Sequence, residues 1–311
     1  MFSPDDNHII VNYHYVRDPN PSFSGIFPCA VRTFEKQIKF LSERYRIVSV
    51  TDVWEAARAG DKEKLCALTF DDGLKDHHEN VLPILKRHKA TASFFFIASV
   101  FDEGRLPATH ALHVLLSALS ARSLADAFVD FLRARHPEEQ ERYHIPRDRR
   151  ITNQRMHEDV LTANLKETLM RVPQEIKHSF ISHALGIARR DEGEIRKSLF
   201  MGSGEMEEME KNNMEIGAHS YAHVPLNEMD EHAVREDTGL AKKVLSGMCT
   251  RLSRAFSYPH GRTNDIVTRI LKEEGFDCGV TIERRGVEKE DDAFLIPRYD
   301  AADLSEYAPL V

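Results

Sequence analysis

Short apolar runs of strand length alternate with helical patterns along most of this chain, and that alternation leaves few folds open. HIIVNYHYV reads as a first strand. TFEKQIKFLSERY carries Phe34, Ile38 and Leu41 at helical spacing, and IVSV follows as a strand. Thr51 or Asp52 is expected to cap the short helix DVWEAARAG, which Gly60 closes. LCALTF is a strand ending at Asp-Asp-Gly, HHENVLPILKRH a helix, and TASFFFI the next strand. Further on, EMEEMEKNN precedes the strand MEIGA, a helix from about Glu231 to Met248 precedes RAFSY, and NDIVTRILKEEG precedes DCGVTI. Such alternation implies a parallel sheet covered by helices, and six or more units favour a barrel over an open sheet.

The stretch from about Gly104 to Leu199 breaks the rhythm. It is almost wholly helical in pattern, with a strongly charged middle, HPEEQERYHIPRDRRITNQRMHED, that is expected to be exposed. It reads as a helical insertion at about 104–199 within a single domain spanning 1–311.

The formal net charge of -8 argues against nucleic acid and anionic membrane surfaces as main partners; a neutral or cationic substrate, or a metal, fits better. No apolar run reaches membrane-spanning length, and MFSPDDNHII lacks the basic flank and apolar stretch of a secretory signal. Cys29, Cys66, Cys249 and Cys278 are dispersed without CxxC spacing, and Cys66 and Cys278 fall inside strand-like runs as small buried thiols. A reduced, cytoplasmic protein is the expectation.

Two clusters carry chemistry. In Thr69-Phe70-Asp71-Asp72-Gly73, two carboxylates follow directly on an apolar strand, at the end where parallel α/β folds build their sites. Neighbouring strand residues point to opposite sides, so both carboxylates reach one site only if the strand ends at the pair. A solvated turn is the bland alternative. In Gly217-Ala218-His219-Ser220-Tyr221-Ala222-His223, two histidines four residues apart follow another strand and share a face if the chain turns helically there. Two imidazoles and a strand-end carboxylate leave coordination positions open, as a catalytic metal site requires.

TFDDG followed by an HSxxH motif resembles the polysaccharide deacetylases, the NodB-homology group or carbohydrate esterase family four. FEKQIKFLSERYRIVSVTDV, LKRHKATASFFFI and FSYPHG extend the likeness over most of the chain except the insertion. The resemblance implies a distorted (β/α) barrel with an Asp-His-His metal site. By motif position Asp72, His219 and His223 are the ligands of one divalent ion and Asp71 the general base. Zinc suits that mixed set, which also accommodates cobalt, nickel or manganese. A metal lowers the pKa of its water and polarises an amide carbonyl, while the unliganded carboxylate takes a proton. FSYPHG matches the motif whose backbone N–H helps hold an oxyanion, with His260 where an aromatic residue is usual.

Two departures stand out. Ser257 occupies the position of an arginine that orients the catalytic aspartate, and the late Leu-Leu-His motif is absent. Some relatives supply that histidine from an N-terminal Tyr-His strand, which Asn12-Tyr13-His14-Tyr15 resembles, so His14 is the candidate acid for the leaving amine. Ile296-Pro297-Arg298 resembles the closing segment of these relatives and offers Arg298 in place of the missing arginine. A buried structural histidine at His14 and a surface ion pair at Arg298 are the plain alternatives. His77 and His78 are expected to cap a helix or face solvent, and His110 and His113 are weaker candidates for a lid. The function implied is hydrolysis of an N-acyl group, acetyl first, from an amino sugar. The substrate is an N-acylated sugar, sugar nucleotide or lipid-linked saccharide in surface-polysaccharide assembly. A deformylase, a cyclic-amide hydrolase and a catalytically silent saccharide-binding protein are the alternatives.

Overall fold

The computed structural model describes residues 2–153, 156 and 158–305. The chain divides into two compact units: Met1–Asp18 with Pro28–Arg105 and Lys197–Val311, and Pro19–Phe27 with Leu106–Arg196.

The first unit is built on a wholly parallel sheet. Its strands are β1 (His8–Tyr13), β2 (Arg46–Val48), β3 (Leu65–Phe70), β4 (Ser93–Phe96), β5 (Glu215–Ala218), β6 (Leu252–Ser257), β7 (Cys278–Val280) and β8 (Tyr299–Asp300). They run in the order β7-β6-β5-β4-β3-β1-β8, with β2 against the first half of β3 and β4 against its second half. Ile296 pairs with Val280, and three residues on Tyr299 pairs with Val11, so one closing segment touches both ends of the path. The result is a distorted barrel, with β7 and β8 only three and two residues long and a register break between β5 and β6.

Every residue of β1 and β3 is buried, which is why these strands read as unbroken apolar runs. One face packs outward on the helices: Tyr13, Phe70 and Phe94, register partners on three adjacent strands, stack at centroid spacings of 5.1 and 4.7 Å. Alternate residues fill the barrel, where Ile10, Ala67, Phe95, Ala255, Cys278 and Val280 form one cluster. Gly217 lies opposite Phe95, and a Cβ there would sit 2.5 Å from the Phe95 ring, so a glycine makes room for it. Above this apolar layer, at the C-terminal ends of the strands, the interior turns polar with Asn12, Thr69, Ser257 and Arg298, all buried.

The helix Val50–Ala59 starts two or three residues earlier than expected. Ser49 caps it and Asp52 returns a bond to the Ser49 N–H, a reciprocal cap, while Gly60 ends it at φ 71°. Thr51 lies inside the helix. Cys66, Cys249 and Cys278 are buried free thiols, and Cys29 is partly buried.

The second unit is helical: Ala108–Ala118, Ala121–Arg135, Val160–Arg171 and Gln174–Ile187. Phe128, Phe131 and Phe180 pack at its centre. About half of the described residues of its charged segment are exposed, yet Tyr143 and Ile145 are buried, and fully buried Asn164 bonds Pro146 O, Arg149 O and Ile151 N to hold that segment down. Gln154, Arg155 and His157 lie outside the described residues. Among the described residues no helix is long and apolar enough to cross a membrane.

Candidate active site

Strand β3 stops at Phe70, and Asp72 and Gly73 both take left-handed backbone, at φ 80° and 69°. The pleat alternation therefore ends at the carboxylate pair. For a non-glycine residue that conformation is strained and is held only by its surroundings. Gly73 is required twice over, since a Cβ there would also lie 2.4 Å from the Phe96 ring.

His219 and His223 follow β5, but the chain between them is not helical. Ser220 and His223 have φ of 62° and 54°, so an irregular turn, not helical periodicity, brings the rings together at 5.0 Å. Asp237, buried in the helix Glu231–Ser246, accepts the backbone N–H groups of Tyr221 and Ala222 at 2.9 Å each, and Ser220 Oγ accepts from His223 N. His219 donates Nδ1–H to the Ser257 carbonyl at 2.8 Å, which leaves its Nε2 lone pair for a ligand. Burial lowers the His219 pKa to about 4, so the ring stays neutral, the form a metal takes.

Asp72 Oδ1 lies 3.5 Å from His219 Nε2 and 3.3 Å from His223 Nε2. Among the described residues, Asp72, His219 and His223 form the one group of three or more such side chains placed to hold a metal, with all ligand atoms within 4.8 Å of one another. One carboxylate oxygen and two imidazole nitrogens, with a tautomer fixed from behind, fit a divalent ion.

Asp71 belongs to a different network. Arg298, 1% exposed, grips it with two parallel bonds, NH1 to Oδ1 at 3.1 Å and NH2 to Oδ2 at 2.9 Å. The same guanidinium reaches Thr281 O, Asn12 Oδ1, Thr69 Oγ1 and Ser257 Oγ, and Asn12 Nδ2 donates to Asp71 Oδ2 at 3.0 Å. Burial pushes the Asp71 carboxyl up, but the Arg298 charge and its hydrogen bonds outweigh it and hold it well below the usual carboxylate range. Arg298 is thus a buried plug of the barrel mouth and not a surface ion pair. Its NH2 touches Ser257, the position where the resemblance led one to look for an arginine.

His14 is not a buried structural histidine: its side chain is 47% exposed, with Nε2 4.0 Å from Asp71 Oδ2. His260, at φ 57°, sets its ring 4.8 Å from that of His223. His77 departs from expectation. It is fully buried against Phe70 and Phe94, and its Nε2 bonds the His14 carbonyl, whereas His78 pairs with Glu208. His110 is buried within the helical unit. Asn12, Thr69, Ser220 and Asp237 escaped the sequence reading. Asn12, Thr69 and Ser220 fall inside the quoted motifs but drew no role of their own, and Asp237 lies far from any motif.

A family model described as polysaccharide deacetylase matches residues 58–128 and 151–279, more than half of the chain. The chain belongs to the polysaccharide deacetylase family. YxkH of Bacillus subtilis (strain 168) is 24% identical over 94 residues, which cover 30% of this chain and 34% of that protein; the match thus spans about a third of the relative's length. Among solved structures, the Streptococcus pyogenes deacetylase PplD, in complex with acetate, superposes with a TM-score of 0.61 at 15% identity, covering 97% of this chain and 98% of that one. IcaB from Ammonifex degensii gives 0.57 at 17%, with 98% of each chain covered. The deacetylase domain of BpsB from Bordetella bronchiseptica gives 0.55 at 17%, covering 96% and 97%. At these identities the likeness establishes the fold, the distorted (β/α) barrel of this family.

Proposed function

We propose that this polysaccharide deacetylase family member is a divalent-metal-dependent hydrolase that removes N-acetyl groups from amino sugars of a saccharide. The observation that carries the reading is the separation of two adjacent carboxylates. Asp72 faces two imidazoles, while Asp71 is turned into the Arg298 fork and kept ionised.

Asp72, His219 and His223 would hold the ion, which supplies Lewis acidity toward a water and the amide carbonyl. Asp71 accepts the proton that the attacking water loses as its oxygen bonds the carbonyl carbon. Arg298 and Asn12 fix that carboxylate in one orientation without taking its proton-accepting role. The main-chain N–H of His260 steadies the negative charge that develops on the carbonyl oxygen. His14 gives a proton to the nitrogen as the C–N bond breaks, so the products are acetate and a free amine. Zinc is the ion the donor set suits best, and the substrates are N-acetylated saccharides destined for surface polysaccharide.

The test is acetate release from a panel of N-acetylated oligosaccharides, lipid-linked saccharides and sugar nucleotides, with and without chelator. Chelator-sensitive acetate release supports the reading. Release of formate alone, or opening of a cyclic amide, moves the activity elsewhere in the fold. Saccharide binding without hydrolysis at full metal load overturns it.

A further inference from the structure

The exposed imidazole of His14 needs a rigid backbone behind it, and the turn that follows the catalytic aspartates supplies one. His14 lies just past the end of β1, where Asp71 N bonds the Tyr13 carbonyl. Beyond it the chain leaves the sheet, and a short parallel bridge to Cys29 (Cys29 N to Tyr15 O at 2.9 Å, Arg17 N to Cys29 O at 3.1 Å) holds one edge of residues 15–17 but not the His14 carbonyl. Three side chains from the turn Asp76–Asn80 hold the other edge. His77 Nε2 bonds the His14 carbonyl at 2.9 Å, Asn80 Nδ2 bonds the Val16 carbonyl at 2.8 Å, and Asp76 accepts the Val16 N–H at 3.1 Å and Arg17 Nε at 2.7 Å.

A carbonyl only accepts, so His77 carries its proton on Nε2. Its ring is 0% exposed, edge-on to Phe70 at 5.3 Å, and its Nδ1 finds no hydrogen-bond partner among the described residues. An apolar ring would fill that slot at less desolvation cost. What the imidazole adds over a phenyl ring is a single donor, aimed at the residue that faces Asp71. The five residues His77–Val81 also form one wide π-type turn before the helix Leu82–His88, a local irregularity that places the donor.

We infer that His77 is a positioning residue: by holding the His14 carbonyl it aims the His14 imidazole at the leaving nitrogen. This rests on the reading of His14 as the acid. The test compares His77→Phe, His77→Gln, Asn80→Ala and His14→Ala, and the double variant His77→Phe/His14→Ala. Each is assayed on an N-acetylated oligosaccharide and on a phenyl acetate ester, whose leaving group needs no proton. His77→Phe keeps metal content and ester turnover and loses amide kcat about tenfold or more, short of the hundredfold to ten-thousandfold range for deleting an acid. His77→Gln, which retains an N–H donor, restores most of the amide rate. The double variant is no slower than His14→Ala alone, because both changes act through one group. Asn80→Ala loosens the same segment without disturbing the aromatic stack and shows a smaller loss of the same selectivity, which keeps the test decisive if His77→Phe does not fold. Additive losses in the double variant, or a wild-type amide rate in His77→Phe and Asn80→Ala while His14→Ala is impaired, overturn the inference. A silent His14→Ala overturns the acid assignment itself, and the inference with it.

Discussion

Replacing Arg298 by methionine separates what that residue does for the fold from what it does for Asp71. The guanidinium makes two bonds to Asp71 and four to Thr281 O, Asn12, Thr69 and Ser257, all in the buried barrel mouth. Methionine fills similar volume but strands the Asp71 charge, and breaking a buried pair from one side costs about 3–5 kcal/mol. Asp71→Asn in the same background removes the stranded charge, so the double variant should be more stable than Arg298→Met alone at pH 8. The pH dependence gives the sign. In the wild type, Asp71 titrates below its unfolded value, so its contribution is full above about 4 and is lost as pH falls below that. In Arg298→Met the main opposition to burial is gone, only weaker partners such as the Asn12 amide remain, and the folded pKa rises above the unfolded one. Stability then increases as pH falls from the raised pKa toward about 4, by up to about 1.4 kcal/mol per pH unit. Urea denaturation midpoints at pH 8, 6 and 5 measure both effects. A double variant no more stable than Arg298→Met, or a deficit that fails to narrow on acidification, would refute the charge-stranding argument.

His219→Ala and His223→Ala should each lose nearly all bound metal by elemental analysis while their unfolding midpoints move little, since an open catalytic site is seldom what holds a fold together. Full occupancy in both would remove them from the ligand set. Asp237→Ala takes the acceptor from the Tyr221 and Ala222 N–H groups, and we expect about 1–3 kcal/mol of destabilisation and about 10–100-fold weaker metal binding in a competition titration. Unchanged affinity would show that the histidine turn holds itself. Gly73→Ala meets both a φ of 69° and the Phe96 ring, so a loss of about 1–3 kcal/mol or more is expected in the same urea assay; a neutral result would mean that Phe96 swings away at no cost.

The strands β1, β3 and β4 were legible because a parallel sheet covered on both faces needs continuous apolar runs. Strand β8 was not, since two residues, Tyr299 and Asp300, carry no period. The aspartate pair and the histidines stood out by type and spacing, but the helical link between His219 and His223 failed. Left-handed φ at Ser220 and His223 is imposed by packing and leaves no trace in non-glycine residue types. Asp237 looks like any charge on an exposed helix in VREDTG, and only the fold slides it beneath the histidine turn. His77 likewise resembles a polar helix start, because the Phe70 and Phe94 rings that bury it come from strands. Arg298 was found through the resemblance, whereas its six bonds join residues from Asn12 to Thr281 that no local pattern links.

The most direct test is acetate release by Asp71→Asn, measured at verified metal content beside wild type and Asp72→Asn. We expect Asp71→Asn to keep its metal and lose about a hundredfold to ten-thousandfold in turnover, because an amide cannot accept the proton from water. Asp72→Asn should instead fail to retain the metal. Wild-type turnover by Asp71→Asn at full metal load would contradict the division of labour between the two aspartates.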